Sequence, residues 1–469
     1  MKLLLNPITS NLVSTLQSAK DACSLVFIFV ALGVAGLPHF AYPPNVLSQT
    51  IEDNWHQWRG PHANGYSATA TPPVTWSETE NIRWKVAIDG KGTSTPVIWG
   101  DRVFVLTAIK NGNKDTSIPD PKDQPKTNFF DIKRPNEARD FVVICLDRSS
   151  GQERWRDIAI SKIPHEGAHQ DNDFASASPT TDGERLYCWF GSAGLFAYSL
   201  DGTKLWQRNL GEVTVGSSLG EGGSPVIHEG NLIIVRDHQG ESSIEVLDAT
   251  TGKTKWRQPR DEGNAWATPV VIATPESTQV VTAASGAIRS YDLNTGEVIW
   301  QCSGLTGNVT PGPIQFEDSV ICMSGYQGYA ALAVPYLLRG PLPVDNVIWK
   351  VERDTPYIPS PLLIGDKLYF VKSNQSLLSC LDAATGQKIF GPKRLGQLGN
   401  IYASIVGAQD RVYLVGRQGT TMVLRDGQGA ETLAINQLDE KFDASPALSG
   451  SQLFLRGERF LYCIEKASK

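Results

Sequence analysis

The residues whose types and spacing are best suited to chemistry lie in one polar stretch. His165, Glu166 and His169 match the His-Glu-x-x-His pattern, in which two imidazoles one helical turn apart bind Zn²⁺ and the glutamate activates water. That chemistry requires a helix, but Pro164 precedes the pattern and Gly167 interrupts it. We therefore expect no zinc protease but a polar loop, which either binds calcium or another ligand or is simply solvated. The candidate binding residues in it are His165, Glu166, His169, Asp171 and Asp173.

A second set of candidates is spread over polar and aromatic turns elsewhere in the chain. Residues 237–241, with the sequence Asp-His-Gln-Gly-Glu, form the densest of these turns. Turn chemistry or a surface hydrogen bond is the alternative explanation for each residue. No phosphate-binding glycine loop, nucleophile elbow or pair of carboxylates placed for acid–base catalysis is detectable in the sequence, so no catalytic residue is assigned. The candidates for contact with a ligand or partner are Asp237, His238, Glu241, Trp266, Tyr326 with Gln327, and Arg417.

A repeat along the chain positions these candidates. A small residue and proline, an apolar run, a turn and a second apolar run recur eight times, at intervals of 41 to 48 residues from the second copy onward. The last but one copy is a weaker form, with isoleucine in place of proline. The copies begin at Thr95-Pro96, Ser178-Pro179, Ser224-Pro225, Thr268-Pro269, Gly312-Pro313, Ser360-Pro361, Ser404-Ile405 and Ser445-Pro446.

A second signature within the repeat is an aspartate, a glycine four residues later and a tryptophan four residues after that. Asp248, Gly252 and Trp256 are one example. The aspartate can hydrogen-bond the turn backbone, and glycine adopts a positive φ without steric cost. The tryptophan then lies on the next strand, where we expect it to fill the gap between neighbouring sheets. Six of the twelve tryptophans occupy this position: Trp84, Trp155, Trp206, Trp256, Trp300 and Trp349.

Each repeat therefore holds four short strands, which is the content of one β-propeller blade. The last copy ends without a tryptophan strand, but residues 82–86 supply one at the front of the chain. Pairing these segments would join the two ends and remove exposed sheet edges. The sequence thus predicts an all-β, eight-bladed propeller of four-stranded blades over residues 82–469, closed by pairing of the N-terminal strand with the C-terminal blade.

Length and composition set the remaining limits. The 469 residues exceed the ~250–300 that one compact core accommodates, as expected for a repeat fold. The net charge of −6 gives no electrostatic footprint for nucleic acid. Residues 22–37 are uncharged and mostly apolar, which predicts a signal peptide or an uncleaved N-terminal anchor over residues 1–37, followed by a lead-in segment over 38–81. We expect an exported, periplasmic or cell-envelope protein whose only membrane contact is that anchor.

The Asp-x-x-Thr-Gly-x-x-x-Trp hairpin resembles the tryptophan-docking motif of the pyrroloquinoline quinone (PQQ) propeller repeat family. Its members include eight-bladed quinoprotein alcohol dehydrogenases and the outer-membrane assembly lipoprotein of the BamB type. The lead-in from Trp55 to Pro61, the stretch 237–242 and the ending 456–464 are similar to those of a bacterial group of exported, PQQ-like propellers. The resemblance covers the chain from about Trp55 to its end and implies the same fold.

The cofactor chemistry of the dehydrogenases is a separate matter. In those relatives, acidic and amide side chains hold calcium and the quinone, usually beneath two adjacent disulfide-bonded cysteines. This sequence has no adjacent cysteines, and the calcium ligands and catalytic aspartate of the family cannot be placed on it. We therefore expect no cofactor, with PQQ and calcium as the alternative; the metal ligands stay unassigned.

In a propeller, the loops between strands two and three, and between strand four and the next blade, share one face. Two long loops, 111–140 and 161–174, fall on this loop-bearing face, and long loops in compact folds are usually functional or disordered. We expect a monomeric, non-catalytic scaffold that binds a protein or glycan partner there and no nucleic acid. The alternative is a PQQ-dependent oxidoreductase with a divalent cation in the central funnel.

Overall fold

The computed structural model describes residues 50–372 and 375–467, so the signal or anchor segment predicted over residues 1–37 lies outside it. Eight antiparallel sheets follow one another around a ring, each running from an inner to an outer strand. This is the predicted all-β, eight-bladed propeller. Among the described residues, no helix is long and apolar enough to cross a membrane.

The first half of the ring consists of blades 1 to 4, each counted from its inner strand outward. Blade 1 has the two longest strands, because the hairpin that carries its insertion extends beyond the sheet. The strands are Val97–Trp99, Arg102–Lys114, Glu137–Asp147 and Glu153–Lys162 in blade 1; Thr180–Thr181, Arg185–Trp189, Leu195–Ser199 and Lys204–Arg208 in blade 2; Val226–His228, Asn231–Arg236, Ser243–Asp248 and Thr254–Pro259 in blade 3; and Val270–Ala273, Thr278–Ala283, Ile288–Asp292 and Val298–Cys302 in blade 4.

The second half of the ring repeats this arrangement in blades 5 to 8. The strands are Ile314–Phe316, Ser319–Ser324, Ala330–Pro335 and Trp349–Val351 in blade 5; Leu362–Ile364, Lys367–Lys372, Leu377–Asp382 and Lys388–Arg394 in blade 6; Val406–Ala408, Arg411–Val415, Thr420–Arg425 and Thr432–Gln437 in blade 7; and Ala447–Ser449, Gln452–Arg456, Phe460–Glu465 and Ile82–Ala87 in blade 8.

Short additional elements decorate the ring. Gly340–Leu342 pairs in parallel with the outer strand of blade 4, and Tyr66–Ser67 pairs in parallel with the inner strand of blade 7. Five 3-10 segments are the helical elements of the described residues: Ile51–Asp53, Pro121–Asp123, Gly191–Ala193, Gly216–Ser218 and Val344–Asn346.

The ring is closed by the two ends of the propeller sequence. Ile82–Ala87 pairs antiparallel with Phe460–Glu465, with Val86 opposite Leu461, and so supplies the fourth strand of blade 8. The predicted closure is confirmed. It removes the unpaired sheet edges that an open ring would present to other chains.

Tryptophans pack the seams between blades. The Trp155 indole donates to the carbonyl of Leu200 in the next blade at 3.0 Å, and a Cβ at Gly202 would lie 2.7 Å from the indole. Trp84, Trp206, Trp256 and Trp349 dock in the same way, as predicted. Trp300 is fully buried but donates to Gln279 instead, because the turn that would receive it in blade 5 is replaced by the insertion around residues 336–348.

The repeated small residues, seven of which carry a hydroxyl, form hydrogen bonds between neighbouring blades around the channel. The backbone N–H of one such residue donates to the side-chain hydroxyl of its counterpart in the next blade, as Ser178 does to Ser224 at 3.0 Å. Six of the eight seams are joined in this way. The repeated small hydroxyl residue is therefore an inter-blade hydrogen-bond acceptor.

The lead-in segment crosses one end of the central channel. Trp55 pairs with Ile98 in blade 1, and the carbonyl of His56 accepts from Thr181 in blade 2. Across the ring, the buried Arg59 side chain donates to the carbonyl of Ile405 beside blade 7 at 2.6 Å and to that of Pro361 beside blade 6. The segment thereby bridges opposite blades beneath the channel and leaves the loop-bearing end open.

Candidate functional site

The channel opens on the loop-bearing face as a funnel with a volume of about 520 Å³. Pockets of ~300–1,000 Å³ are the usual size for binding a small ligand. Every blade contributes the residue two positions before its repeated small residue, and Trp58 of the lead-in segment lies beneath them. These eight residues are Thr93, Ser176, Gly222, Trp266, Thr310, Ile358, Tyr402 and Asp443.

Aromatic side chains form much of the funnel wall. The Trp266 indole donates to the carbonyl of Gly220 at 2.9 Å, and Gly222 packs so closely against the indole that a Cβ would lie 2.7 Å from it. Tyr326 and Tyr357 stack with their ring centroids 5.0 Å apart. Because each ring is held by a hydrogen bond or a neighbour, the wall offers fixed apolar surfaces to a ligand.

Two phenylalanines of the blade 1 insertion stand at the mouth of the funnel. Phe129 is 79% exposed and Phe130 is 49% exposed, and their rings meet edge to face with centroids 5.0 Å apart. The Phe130 ring also contacts the His169 imidazole, 5.1 Å between centroids, and both residues line the funnel. The long loops at 111–140 and 161–174 therefore meet at this rim.

The charged groups of the rim are paired with one another. Arg417 donates to Asp171 at 2.6 Å and to both carboxylate oxygens of Asp443, at 2.6 and 3.0 Å. Burial alone would raise the pKa of Asp171, but the hydrogen bond and the charge of Arg417 hold the pKa of this carboxyl below its ordinary value. Tyr402 packs against the guanidinium, 3.9 Å from its ring centroid. These ion pairs connect the loops of the rim, and both carboxylates are already bonded to Arg417.

Burial shifts two glutamates toward the neutral form, Glu166 behind the funnel wall and Glu221 in it. Burial raises the pKa of Glu166 to about 7, and the same cause raises the pKa of Glu221 to about 7. Glu166 accepts from the backbone N–H of Val215 at 3.0 Å, and Glu221 accepts from that of Ser192 at 2.9 Å. Both carboxyls therefore connect the loops between blades 1, 2 and 3.

The two histidines of the His-Glu-x-x-His pattern make different contacts. No helix forms over residues 163–174, in agreement with the expectation of a loop. The ring of His165 is hydrogen-bonded to the carbonyl of Val213 at 2.9 Å, whereas His169 lines the funnel beside Phe130. The pattern therefore does not place its two imidazoles on one metal.

The turn at 237–241 is occupied by structural contacts. Arg260 donates to both oxygens of the Asp237 carboxylate, at 2.7 and 2.9 Å, in a buried ion pair. Nδ1 of the His238 ring accepts backbone N–H groups of Thr214 and Gly240, and Glu241 is exposed. None of the three sequence candidates in this turn lines the funnel.

The structure thus brings some of the sequence candidates together and separates others. His169, Asp171, Trp266 and Tyr326 line the funnel, and Arg417 braces it. Asp173 lies buried behind the wall, where its carboxylate accepts from the backbone N–H of Ala175 at 2.7 Å. The larger or charged funnel residues that sequence reasoning missed include Trp58, Phe130, Asn172, Glu221, Tyr357, Tyr402 and Asp443.

A sequence signal for part of the missed set does exist. Tyr402 and Asp443 each precede the small residue of their repeat by two positions, as Trp266 does. Alignment of the repeats on that small residue therefore marks one funnel position in every blade. Trp58 and Phe130 carry no such mark, because they reach the funnel from segments outside the repeat.

The acids of the funnel do not form the set of donors that calcium and a quinone need. Asp171 and Asp443 are both bonded to Arg417, and Glu221 is held by a backbone N–H. Calcium takes six to eight oxygen ligands, with carboxylates prominent among them. Within residues 50–372 and 375–467, no three histidine, cysteine, aspartate or glutamate side chains are grouped so that they would hold a metal ion. The side chains present therefore do not fit the calcium–quinone site that the resemblance implies.

The fold and the funnel define an eight-bladed propeller with a ligand-sized opening on one face. A model of the family described as outer membrane protein assembly factor BamB matches residues 139–391, more than half of the sequence. The chain belongs to this family of PQQ-like propellers. Among proteins with curated descriptions, none matches the sequence significantly.

Solved structures share the architecture at low sequence identity. The quinohemoprotein alcohol dehydrogenase of Comamonas testosteroni is 11% identical with a TM-score of 0.58, over 90% of this chain and 82% of that one. The enzyme ADHIIG of Pseudomonas putida HK5 is 9% identical with a TM-score of 0.55, over 89% and 81%. The computationally designed protein Ika8 is 11% identical with a TM-score of 0.52, over 81% and 98%. At these identities the likeness establishes the fold alone.

Proposed function

We propose that this protein is an exported, non-catalytic propeller that binds a partner protein on its loop-bearing face. The observation that carries the proposal is the Phe129–Phe130 pair, which stands exposed at the mouth of an aromatic funnel whose charged groups are already paired. Exposed aromatic clusters of this kind mark interaction sites on soluble proteins.

A protein partner suits this surface better than a small charged ligand. Aromatic side chains dominate the binding energy of protein interfaces and lie near their centres, surrounded by polar residues. Phe129 and Phe130 lie within the polar insertion 111–140, and Phe130 contacts His169. Membership in a family described as an assembly factor supports the same reading. A glycan that stacks on Trp266 is the alternative occupant.

Photo-crosslinking tests the proposal directly. A photoreactive phenylalanine analogue is placed at Phe129 or at Phe130 in the full chain, expressed in its native host. The matched control carries the analogue at Thr250, an exposed residue of a turn on the opposite face. We expect one and the same protein to crosslink from both phenylalanine positions and not from Thr250. Equal crosslinking from all three positions, or none from the phenylalanines, would contradict the proposal.

A titration separates this function from that of an oxidoreductase. The purified chain is titrated with PQQ and calcium while heat and tryptophan fluorescence are followed, since Trp58 and Trp266 both line the funnel. We expect no saturable one-to-one binding. Saturable binding at micromolar concentration would favour a quinoprotein-type dehydrogenase, and soluble glycans in the same assay test the other occupant.

A further inference from the structure

A buried arginine lies behind the funnel wall without any hydrogen bond. Arg456, at the end of the second strand of blade 8, is 1% exposed, and none of its three guanidinium nitrogens has a partner among the described residues. Burial lowers the pKa of this arginine only to about 10, so it is charged at neutral pH. A buried guanidinium with five unmet N–H donors is costly unless something binds it.

The nearest carboxylates do not meet this need. Asp173 accepts from the backbone N–H of Ala175 at 2.7 Å, and Glu440 accepts from the backbone N–H groups of Lys441, Arg459 and Phe460 at 2.9 to 3.2 Å. Both acids influence Arg456 through their charge without reaching hydrogen-bond distance. The guanidinium therefore needs a partner that the chain does not provide.

The guanidinium lines a small cavity of about 40 Å³. Lys91 and Lys441 line the same cavity beside Arg456, and Lys441 is also paired with Asp443 at 3.2 Å. Four acids share the lining: Asp171 and Asp443 are already bonded to Arg417, Asp173 is buried, and burial raises the pKa of its carboxyl, and Glu458 is exposed. A water molecule needs ~10–15 Å³ of such space, so the cavity has room for a group of about three heavy atoms. The planar fork of a guanidinium matches the two oxygens of a carboxylate.

We propose that the cavity at Arg456 binds a small planar oxyanion with the chemistry of a carboxylate. The anion is either a free ion or the acidic group of a molecule that occupies the funnel, because the cavity and the funnel share Thr93, Asp171, Asn172 and Asp443 in their walls. The site is independent of the proposed partner surface, since Phe129 and Phe130 do not line this cavity.

The test is a formate titration of the full chain, followed by thermal unfolding, for wild type and for Arg456→Met. Burial of a charged group without hydrogen-bond partners is costly, so the variant with an apolar side chain of similar size is expected to fold and to unfold at or above the wild-type temperature without formate. We expect formate to raise the wild-type midpoint saturably and to leave Arg456→Met unchanged apart from a general salt effect. If the unfolding midpoints of the two proteins rise in parallel with formate concentration, the proposed site is wrong.

If Arg456→Met does not fold, the proposal is tested by measuring formate binding directly. Line broadening of ¹³C-formate is measured with wild type and with Arg456→Lys, which keeps the charge but loses the fork. We expect saturable broadening with wild type and at least tenfold weaker binding to the lysine variant; no broadening with wild type would overturn the proposal. Glucuronate forms the second arm: binding of formate alone indicates a free anion, and binding of both indicates an acidic group that enters from the funnel.

Discussion

The repeated residues are nearly uniform on one face of the propeller and vary from blade to blade on the other. At the hairpin turns between strands three and four, five tryptophans dock on the next blade through the same indole-to-carbonyl hydrogen bond. At the funnel, the residue two positions before the repeated small residue differs from blade to blade and ranges from Gly222 to Trp266 and Asp443. The repeat is uniform where blades are joined and varied where a ligand or partner would touch them.

This difference separates stability from recognition. Contacts repeated at most of the seams add up around the ring, as in other repeat proteins. The funnel positions lie on loops held by that scaffold, which is where binding residues concentrate in proteins. Substitutions at the seams should therefore change folding, whereas substitutions at the funnel and its rim should change binding.

The largest effect is expected at a seam tryptophan. Trp349→Ala removes a buried indole and its hydrogen bond to Ala383, and we expect a loss of ~3–5 kcal/mol in the free energy of unfolding. Trp266→Ala, at a half-buried funnel position, should cost ~1–2 kcal/mol. Urea unfolding of both variants measures this contrast. Equal losses would show that the funnel tryptophan is also a core residue.

The hydroxyl ring provides the next test. Ser360→Ala leaves the buried backbone N–H of Gly312 without its acceptor, so we expect a loss of ~1–3 kcal/mol in the free energy of unfolding. Thr310→Val, which removes a hydroxyl from the funnel wall of the same seam, should stay within ~0.5 kcal/mol of wild type. If Thr310→Val lowers the free energy of unfolding more than Ser360→Ala does, the assignment of Ser360 to inter-blade stability and of Thr310 to the funnel wall is wrong.

The pH dependence of stability tests the buried glutamates. Because burial raises the pKa of Glu221 from 4.5 to about 7, the folded protein holds this proton more tightly than the unfolded chain does. The stability that the proton contributes is fully present below pH 4.5 and is lost as the pH rises through about 7. Glu221→Gln should therefore raise the free energy of unfolding by ~1–2 kcal/mol at pH 8 and leave it unchanged at pH 4.

Chemical denaturation at the two pH values measures the effect of Glu221→Gln. The exposed Glu241→Gln serves as the matched control, for which we expect no difference between pH 4 and pH 8. An equal gain for Glu221→Gln at both pH values would show that the glutamine improves packing and that ionisation is not involved.

The smallest effect on stability is expected at the rim. Phe129 is mostly exposed, so Phe129→Ala should change the free energy of unfolding by less than ~0.5 kcal/mol. Crosslinking of the partner from Phe130 should nevertheless fall sharply in this variant. A loss of stability comparable to that of Trp349→Ala would mean that the insertion packs as part of the core.

The sequence predicts the fold far better than it predicts the site. The small-residue–proline copies and the Asp-to-Trp spacing determine blade number, blade boundaries and closure, because each signature reports a local contact that recurs in every blade. Trp300 departs from the pattern only because an insertion elsewhere replaces its receiving turn.

The funnel depends on contacts between segments far apart in the sequence. Arg417 forms an ion pair with Asp171, 246 positions away in the sequence. Asp237, a candidate binding residue in the sequence, forms a buried ion pair with Arg260, which no local sequence pattern predicts. Residue type alone therefore selects the turn at 237–241, which does not line the funnel, and does not select Tyr357 and Phe130, which do.

The affinity of the chain for its crosslinked partner tests the central claim most directly. It is measured for wild type, for the double variant Phe129→Ala/Phe130→Ala and for Leu337→Ala/Leu338→Ala, which removes another exposed apolar pair that does not line the funnel. If the rim is the centre of the interface, the phenylalanine variant should bind at least about tenfold more weakly while the leucine variant binds like wild type. Unchanged binding of the phenylalanine variant, or an equal loss in both variants, would contradict the assignment of the loop-bearing face as the partner site.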